Sequence, residues 1–294
     1  MPGTRELTRR IKSVKSTRKI TRAMQLISAA KMRKSQMATL ASRTYTKLAW
    51  ELIQSLSSKT AIGSPLTKTF PEAKKVGLVI ISSNRGQVGG FNNNLFKKIR
   101  QYEEAEPELI SEVVVLGKKA RDNALRLKKT ILAEFEKLDS TIPVEQIYPL
   151  IKMLTDAYRS EKYSKILIVY NHFASTLVQV PTIKTLLPFS AETQPTAENP
   201  DAQPAATFSE AIFEPSPKEV AQHLLPRVLE SQIYQAILES DASEHSARMV
   251  MMKNATESAG DLIDDLTLTF NSLRQSKITT ELSEITAGRI ALEK

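Results

Sequence analysis

Two long stretches of helical spacing enclose a block of a different pattern. From Thr4 to Ile62 there is neither Gly nor Pro, and apolar residues return every three or four positions: Leu7, Ile11 and Val14, then Ile20, Met24 and Ile27, then Leu48, Leu52 and Leu56. Such spacing puts side chains on one helical face, so the segment predicts a single helix, about 80 Å long at about 1.5 Å per residue. Arg227 to Lys294 is interrupted only by Gly260 and Gly288 and carries Leu229, Ile233, Ile237, Met249, Met252, Leu262, Leu266, Leu273, Leu282 and Ile285. It predicts a second helix, roughly 100 Å if unbroken. Neither can be covered by a small domain, and two such stripes are buried most simply by winding as an antiparallel coiled coil. The first stripe thins at Ser28, Ala29, Ala30, Lys31, Arg33, Lys34, Ser35 and Gln36. Two readings stand there: a face that meets other proteins by charge and close approach, or a solvated helix face.

Between the helices, Val76 to Ser82, Glu112 to Leu116 and Lys165 to Asn171 are short β-branched runs, and 92–106, 118–128 and 148–162 read as helices. The alternation predicts an α/β domain with a partly parallel sheet. Leu177 to Leu187 reads as a further strand, which Pro181 confines to an edge or ends early. Residues 190–207, small, polar and Pro-bearing, read as a loop or disordered excursion. The expected organisation is an N-terminal coiled-coil helix over 1–62, an α/β domain over 70–188, a variable loop over 189–212 and a C-terminal coiled-coil helix over 213–294.

Charge sharpens this picture. The 294 residues carry a net +9, yet residues 1–50 hold thirteen bases against one acid, Glu6, while residues 191–294 hold eight bases against seventeen acids. The two ends are electrostatic complements. With no Cys, disulfides, thiolate zinc sites, iron–sulfur clusters and cysteine nucleophiles are excluded. No apolar run approaches the roughly 20 residues of a membrane span. Arg5, Arg9, Arg10, Lys12 and Lys15 stand where a secretory signal would need apolar residues, so the chain is expected to stay where it is made.

Candidate chemistry is sparse. Ser82 to Asn94 follows a strand and opens a helix, the place of a phosphate-binding loop, but Gly86, Gly89 and Gly90 do not give G-x-G-x-x-G. A Gly-permitted tight turn with an Asn helix cap is the competing reading. At Gly117-Lys118-Lys119 a Walker loop would need Gly in place of Glu112 and Ser or Thr in place of Lys119. His172, His223 and His245 have no metal-ligand spacing, and no Ser-His-acid set or catalytic carboxylate pair is recognisable. No cofactor or metal is expected. The cations from Arg9 to Lys34 leave open a basic helical nucleic-acid binder. The strand–helix block leaves open an α/β enzyme with helical arms.

Several motifs carry a more specific resemblance: RIKSVKSTRKITRAM (10–24), SAAKMRKSQ (28–36), SSNRGQVGGFNNNLFKK (82–98), QVPTIKTLLP (179–188), ESQIYQ (230–235), SARMVMMKNATESAGDLI (246–263) and ITTELSEITAG (278–288). In order over nearly the whole chain, they resemble the gamma subunits of bacterial F-type ATP synthases. The resemblance implies two long terminal helices in an antiparallel coiled coil flanking a central Rossmann-like α/β domain. It implies a non-catalytic central rotor shaft coupling c-ring rotation to conformational cycling of the alpha/beta hexamer, for ATP synthesis or hydrolysis. The implied partners are three alpha and three beta subunits, epsilon and the c-ring, with no nucleic acid. The implied place is the cytoplasmic face of the bacterial plasma membrane, peripheral and reached only through the c-ring. By the same resemblance Met24, with Arg18, Lys19, Arg22, Lys31, Arg33 and Lys34, faces the acidic lower lever of beta. The turn from Arg85 to Gly90 lies near the base of a beta subunit, and Arg274, Gln275 and Thr279 meet loops of the catalytic subunits. Leu282 to Ala291 enters an apolar bearing, and Phe213 and Glu214 meet epsilon and the c-ring. The chain departs from the family at Asn84 (usually Asp), Gln87-Val88 (usually Leu-Cys) and Arg289 (usually small), and it lacks the cysteine insert of the chloroplast form.

Overall fold

The computed structural model describes residues 3–59, 64–137, 144–189 and 213–292. The chain runs α1 (Thr4–Lys59), β1 (Lys75–Ile81), α2 (Phe91–Ala105), β2 (Ile110–Leu116), α3 (Lys118–Arg126), β3 (Thr130–Phe135), α4 (Tyr148–Arg159), β4 (Lys165–Phe173), β5 (Gln179–Leu187) and α5 (Pro217–Leu292). It divides into two compact units, residues 1–28 with 248–294 and residues 29–247, so both long helices contribute to each.

In the larger unit the sheet has the order β3-β2-β1-β4-β5, parallel except for the antiparallel β4–β5 pair. Val76 to Ile81, Gly77 included, and Val113 to Leu116 are buried on both faces, which is why these strands read as nearly unbroken apolar runs. One face packs Val76, Leu78, Val113, Val115, Leu167 and Val169 under Leu95 and Ile99 of α2 and Ala120 and Ala124 of α3. The other packs Val79, Ile81, Val114, Ile166 and Ile168 against α4 and against Leu225, Val228, Leu229, Ile233 and Ile237 of α5. Pro181 lies in β5, at the sheet's edge, where a missing donor costs no ladder bond.

The smaller unit is an antiparallel helix pair. Its buried or half-buried α5 positions Met252, Thr256, Ala259, Ile263 and Leu266 are spaced four, three, four and three, the spacing of a coiled-coil seam. On α1 the same alternation runs Leu7, Ile11, Val14, Thr21, Gln25 and Ser28, with the exposed Arg18 at the intervening position, and it continues in the larger unit through Met32, Ser35, Thr39, Ser42, Thr46 and Ala49. Seam groups meet by hydrogen bonding: the Thr256 hydroxyl donates to Thr21 Oγ1 at 2.8 Å within the smaller unit. Within the larger unit the Ser42 hydroxyl donates to Gln235 Oε1 at 2.5 Å.

The structure corrects or refines four expectations. Ile20, Ile27 and Leu48, expected on the buried stripe, are 58%, 57% and 45% exposed; from Thr21 onward small and polar residues hold the seam and several large apolar ones point outward. At the thin stretch, Ser28, Met32 and Ser35 are buried while Arg33 and Lys34 are exposed, so the small residues serve the seam and the cations the outer face. α5 begins at Pro217, within the expected 213–294 segment but ten positions before the uninterrupted stretch that starts at Arg227, and carries Pro226 inside it. Ser216 caps it, accepting from the Glu219 N–H and donating to the Glu219 carboxylate, both at 3.3 Å. β3 was not anticipated; it is a half-buried edge strand entered through Lys128 at φ 52°.

Candidate functional site

In an open α/β sheet of this order, ligands lie outside the carboxyl ends of the strands where the winding reverses, here between β1 and β4. That crevice is filled by the chain itself. Val88 and Phe91 pack against Ala247 of α5. The Ser243 hydroxyl donates to Asn171 O at 2.9 Å, the Ser246 hydroxyl to Thr176 O at 2.5 Å, and Asn171 Nδ2 to Phe91 O at 3.3 Å.

The turn after β1 is consumed internally as well. The Ser83 N–H donates to Asn92 Oδ1 at 3.2 Å, Asn92 Nδ2 donates to Ser83 Oγ at 2.8 Å, and the Ser83 hydroxyl donates to Arg85 O at 2.7 Å. The expected Asn cap on α2 is therefore a tie back to Ser83; the cap position is Gly90, with no side-chain bond. Gly117 sits at φ 98° with an added Cβ 2.5 Å from Ser82 O, so only glycine fits where α3 begins. Ser82 Oγ accepts from the Ala120 N–H at 2.7 Å in that helix's first turn.

Beside the crevice lies a buried ionic group that the sequence did not suggest. Lys137, 3% exposed, places Nζ 2.9 Å from Asp241 and 2.7 Å from Glu244 of α5. Burial opposes its charge, but the two carboxylates more than offset this and hold the amine above its ordinary range. Asn84 accepts from the Lys118 N–H at 3.2 Å through Oδ1 and donates to Lys137 O through Nδ2. An aspartate, usual here in the family resembled, could not make the second bond. His172 Nδ1 is 2.7 Å from Glu239, which also accepts from Gln235 at 2.9 Å. At the amino ends of the strands, Glu112 is paired with Lys75 at 2.6 Å and Lys162 at 2.7 Å and accepts from the Tyr163 hydroxyl at 2.6 Å. Burial raises its pKa, and these three bonds overcome that to bring it to about 2.

Of the residues singled out by resemblance, Met24 is half-buried on α1, and Arg33 and Lys34 are exposed on the same helix. Arg85 is exposed on the turn after β1, where Gln87 and Gly89 have positive φ. Arg274, Gln275 and Thr279 are exposed on α5, the Thr279 hydroxyl donating to Gln275 O at 3.0 Å. Phe213 is half-buried and Glu214 exposed just before α5. Sequence reasoning missed the outward apolar residues among them: Leu26, Met37, Leu40, Leu268 and Ile278 are 59%, 72%, 63%, 70% and 45% exposed. Following the seven-residue seam through its Ser, Thr and Gln positions would have revealed them.

The sequence model described as ATP synthase matches residues 3–292. An ATP synthase gamma chain of Roseiflexus castenholzii is 40% identical, with 99% of both chains aligned, and that of Pelotomaculum thermopropionicum 41% identical over the whole of both. The chain belongs to the ATP synthase gamma chain family. Among solved structures, a rotor chain of Euglena gracilis mitochondrial ATP synthase aligns with TM-score 0.66 at 18% identity, over 94% of this chain and 98% of that one. A chain from the central stalk and c-ring of the Tetrahymena thermophila enzyme aligns with TM-score 0.58 at 21% identity, over 80% of this chain and 99% of that one. Both share the gamma-family fold. No helix among the described residues is long and apolar enough to cross a membrane.

Proposed function

We propose that this gamma-family chain is the non-catalytic rotor shaft of a proton-translocating ATP synthase. It would turn with the c-ring and epsilon inside a ring of three alpha and three beta subunits, on the cytoplasmic face of the plasma membrane. The observation that carries the reading is the distribution of side chains on the helix pair. From Thr21 to Thr39 the α1 side of the seam is mostly small or polar, whereas Ile20, Leu26, Ile27, Met37 and Leu40 stand outward on α1 with Arg33 and Lys34. From Arg274 to Arg289 every residue of α5 is exposed, Leu282 and Ile285 included. Such a surface has apolar mass to be covered and charge to find acidic partners, which suits proteins on all sides better than water. The nucleic-acid reading has no support among the relatives, and cations interleaved with bare Ile, Leu and Met suit protein better than phosphate.

The chemistry then lies elsewhere. A partner shifts a conformational equilibrium only by binding one state better than another, so an asymmetric shaft biases each surrounding subunit in turn. Arg33 and Lys34, with Met24, are assigned to the acidic lever of beta; Arg85 to its base; Arg274, Gln275 and Thr279 to catalytic-subunit loops; Phe213 and Glu214 to epsilon and the c-ring. Charge contacts are long-range and tolerant of sliding, as a rotating collar requires.

The test is co-purification followed by charge reversal. Alpha and beta at three copies each per copy of this chain are expected. Arg33→Glu with Lys34→Glu, both exposed, should depress ATP-driven proton pumping in membrane vesicles more than ATP hydrolysis. Proportional loss of both with failed assembly would make the collar structural and remove it from the coupling path.

A further inference from the structure

The ionic group at Lys137 has no role in the reading above, and its geometry gives it one. Over two turns α5 presents two polar stripes. Glu239, Ser243 and Ser246 bond His172, Asn171 O and Thr176 O at and after the end of β4. Asp241 and Glu244 bond Lys137, just past β3. At about 100° per residue, the two stripes are centred roughly 160° apart around the helix axis. β3 and β4 are separated by β2 and β1, a gap of about 14 Å at about 4.8 Å per strand, which admits one helix of about 10–12 Å. The helix is therefore held from two nearly opposite sides, by partners just past β3 and at the end of β4.

The consequence follows from what each kind of contact resists. Apolar packing by Leu225, Val228, Leu229, Ile233 and Ile237 opposes separation but is non-directional, so it tolerates turning and sliding. Buried charge-assisted hydrogen bonds are directional and lose their strength when misaligned. Buried ion pairs add little net stability over apolar residues of the same shape, so stability alone does not account for this one. The Asn84 bond to Lys137 O fixes the backbone from which the lysine reaches.

We infer that Lys137 is a positioning residue, the jaw that, opposite the β4 jaw, prevents α5 from turning in the α/β domain, so that torque passes from domain to shaft helix. This rests on the rotor reading just proposed. Lys137, Asp241 and Glu244 are buried and act through α5.

The test uses the complex assembled with alpha and beta subunits. A bead is fixed to the α/β domain through Arg126→Cys, an exposed position in a chain without other cysteines. Rotation of the bead in the parent complex is the control: if it does not rotate, the rotor reading fails, whatever the clamp does. The key variant is Lys137→Met/Asp241→Leu/Glu244→Met, which replaces the ionic group by apolar residues of similar volume. Its melting temperature and ATP hydrolysis are expected to match the parent, while the stall torque read at the bead falls at least two-fold. Parental stall torque would overturn the clamp. Should the triple variant fail to assemble, Asp241→Asn and Glu244→Gln decide, since each leaves Lys137 one carboxylate. Both are expected to lower stall torque, and parental torque in either overturns the inference.

Discussion

Leu26 and Ile27 offer a direct measurement of what the outward face of α1 is for. They are 59% and 57% exposed, so about three-fifths of each side chain waits to be covered. Full burial of Leu or Ile is worth about 1.5–3 kcal/mol, which leaves about 1–2 kcal/mol to be gained at each on contact with a partner. Replacing both by Gln, as good a helix former, should cost assembly about 2–4 kcal/mol, or about 30- to 700-fold in the association constant. The chain's own stability should change by less than about 1.5 kcal/mol, because only two-fifths of each side chain is buried and the Gln stem replaces part of that. The assay pairs urea unfolding of the free chain, followed by helix circular dichroism, with its titration into alpha and beta subunits read by sedimentation. An unchanged association constant would refute the claim that this face meets the ring. A loss of chain stability as large as the loss of assembly would show that the face is part of the chain's own core.

Three further outcomes are expected. Glu112, held at about pKa 2, is depressed below its unfolded value, so its contribution is present above about pH 5 and lost as pH falls towards 2. That contribution is at most about 3 kcal/mol, less for the partial exposure of Lys75 and Lys162, and Glu112→Gln should lower the urea midpoint at pH 7 and flatten its fall below pH 5; an unaltered acid slope would contradict the pairing. Gly260→Ala should stabilise the free chain by about 0.5–1 kcal/mol through helix propensity, since the added Cβ meets Arg18 Cζ at 3.4 Å; a lower urea midpoint would show that the close approach of Arg18 is needed. Deleting residues 286–294 should leave the free chain's unfolding unchanged, because Thr286 to Arg289 are exposed, whereas deletion from Arg274 onward should weaken assembly; equal effects of the two on assembly yield would misplace the bearing.

The parallel strands were legible because Val76 and Leu78 to Ile81 leave no polar residue to mark an outer face. β3 was not, since Thr130 to Phe135 follows two lysines and is only half-buried. Pro226 hid the first turns of α5, although Ser216, Pro217 and Glu219 spell a helix start. Weighing only large apolar residues placed the stripe of α1 on the wrong side at Ile20 and Ile27, because Thr21, Ser28, Ser35 and Thr39 hold the seam by being small. The excess of bases in the first fifty residues was evident from composition; that Arg33 and Lys34 stand exposed on α1 came from the fold. Lys137 was beyond reach: its partners lie on α5, far along the chain, and only the folded sheet brings them together.

The seven-residue spacing of the smaller unit's seam, from Leu7 to Ser28 on α1, has a mechanical corollary. A heptad falls about 20° short of two full turns of a straight helix, and the deficit is taken up by left-handed winding. A left-handed two-strand rope is not symmetric under twist: torsion in one sense tightens its lay and drives the strands together, while torsion in the other slackens it. Within the smaller unit, the tightening sense presses Ser28 further into its packed place, while in the slackening sense the hydrogen-bonded pair Thr21–Thr256 and the apolar seam residues oppose opening. Clockwise and anticlockwise loads therefore meet different spring constants in the same pair of helices.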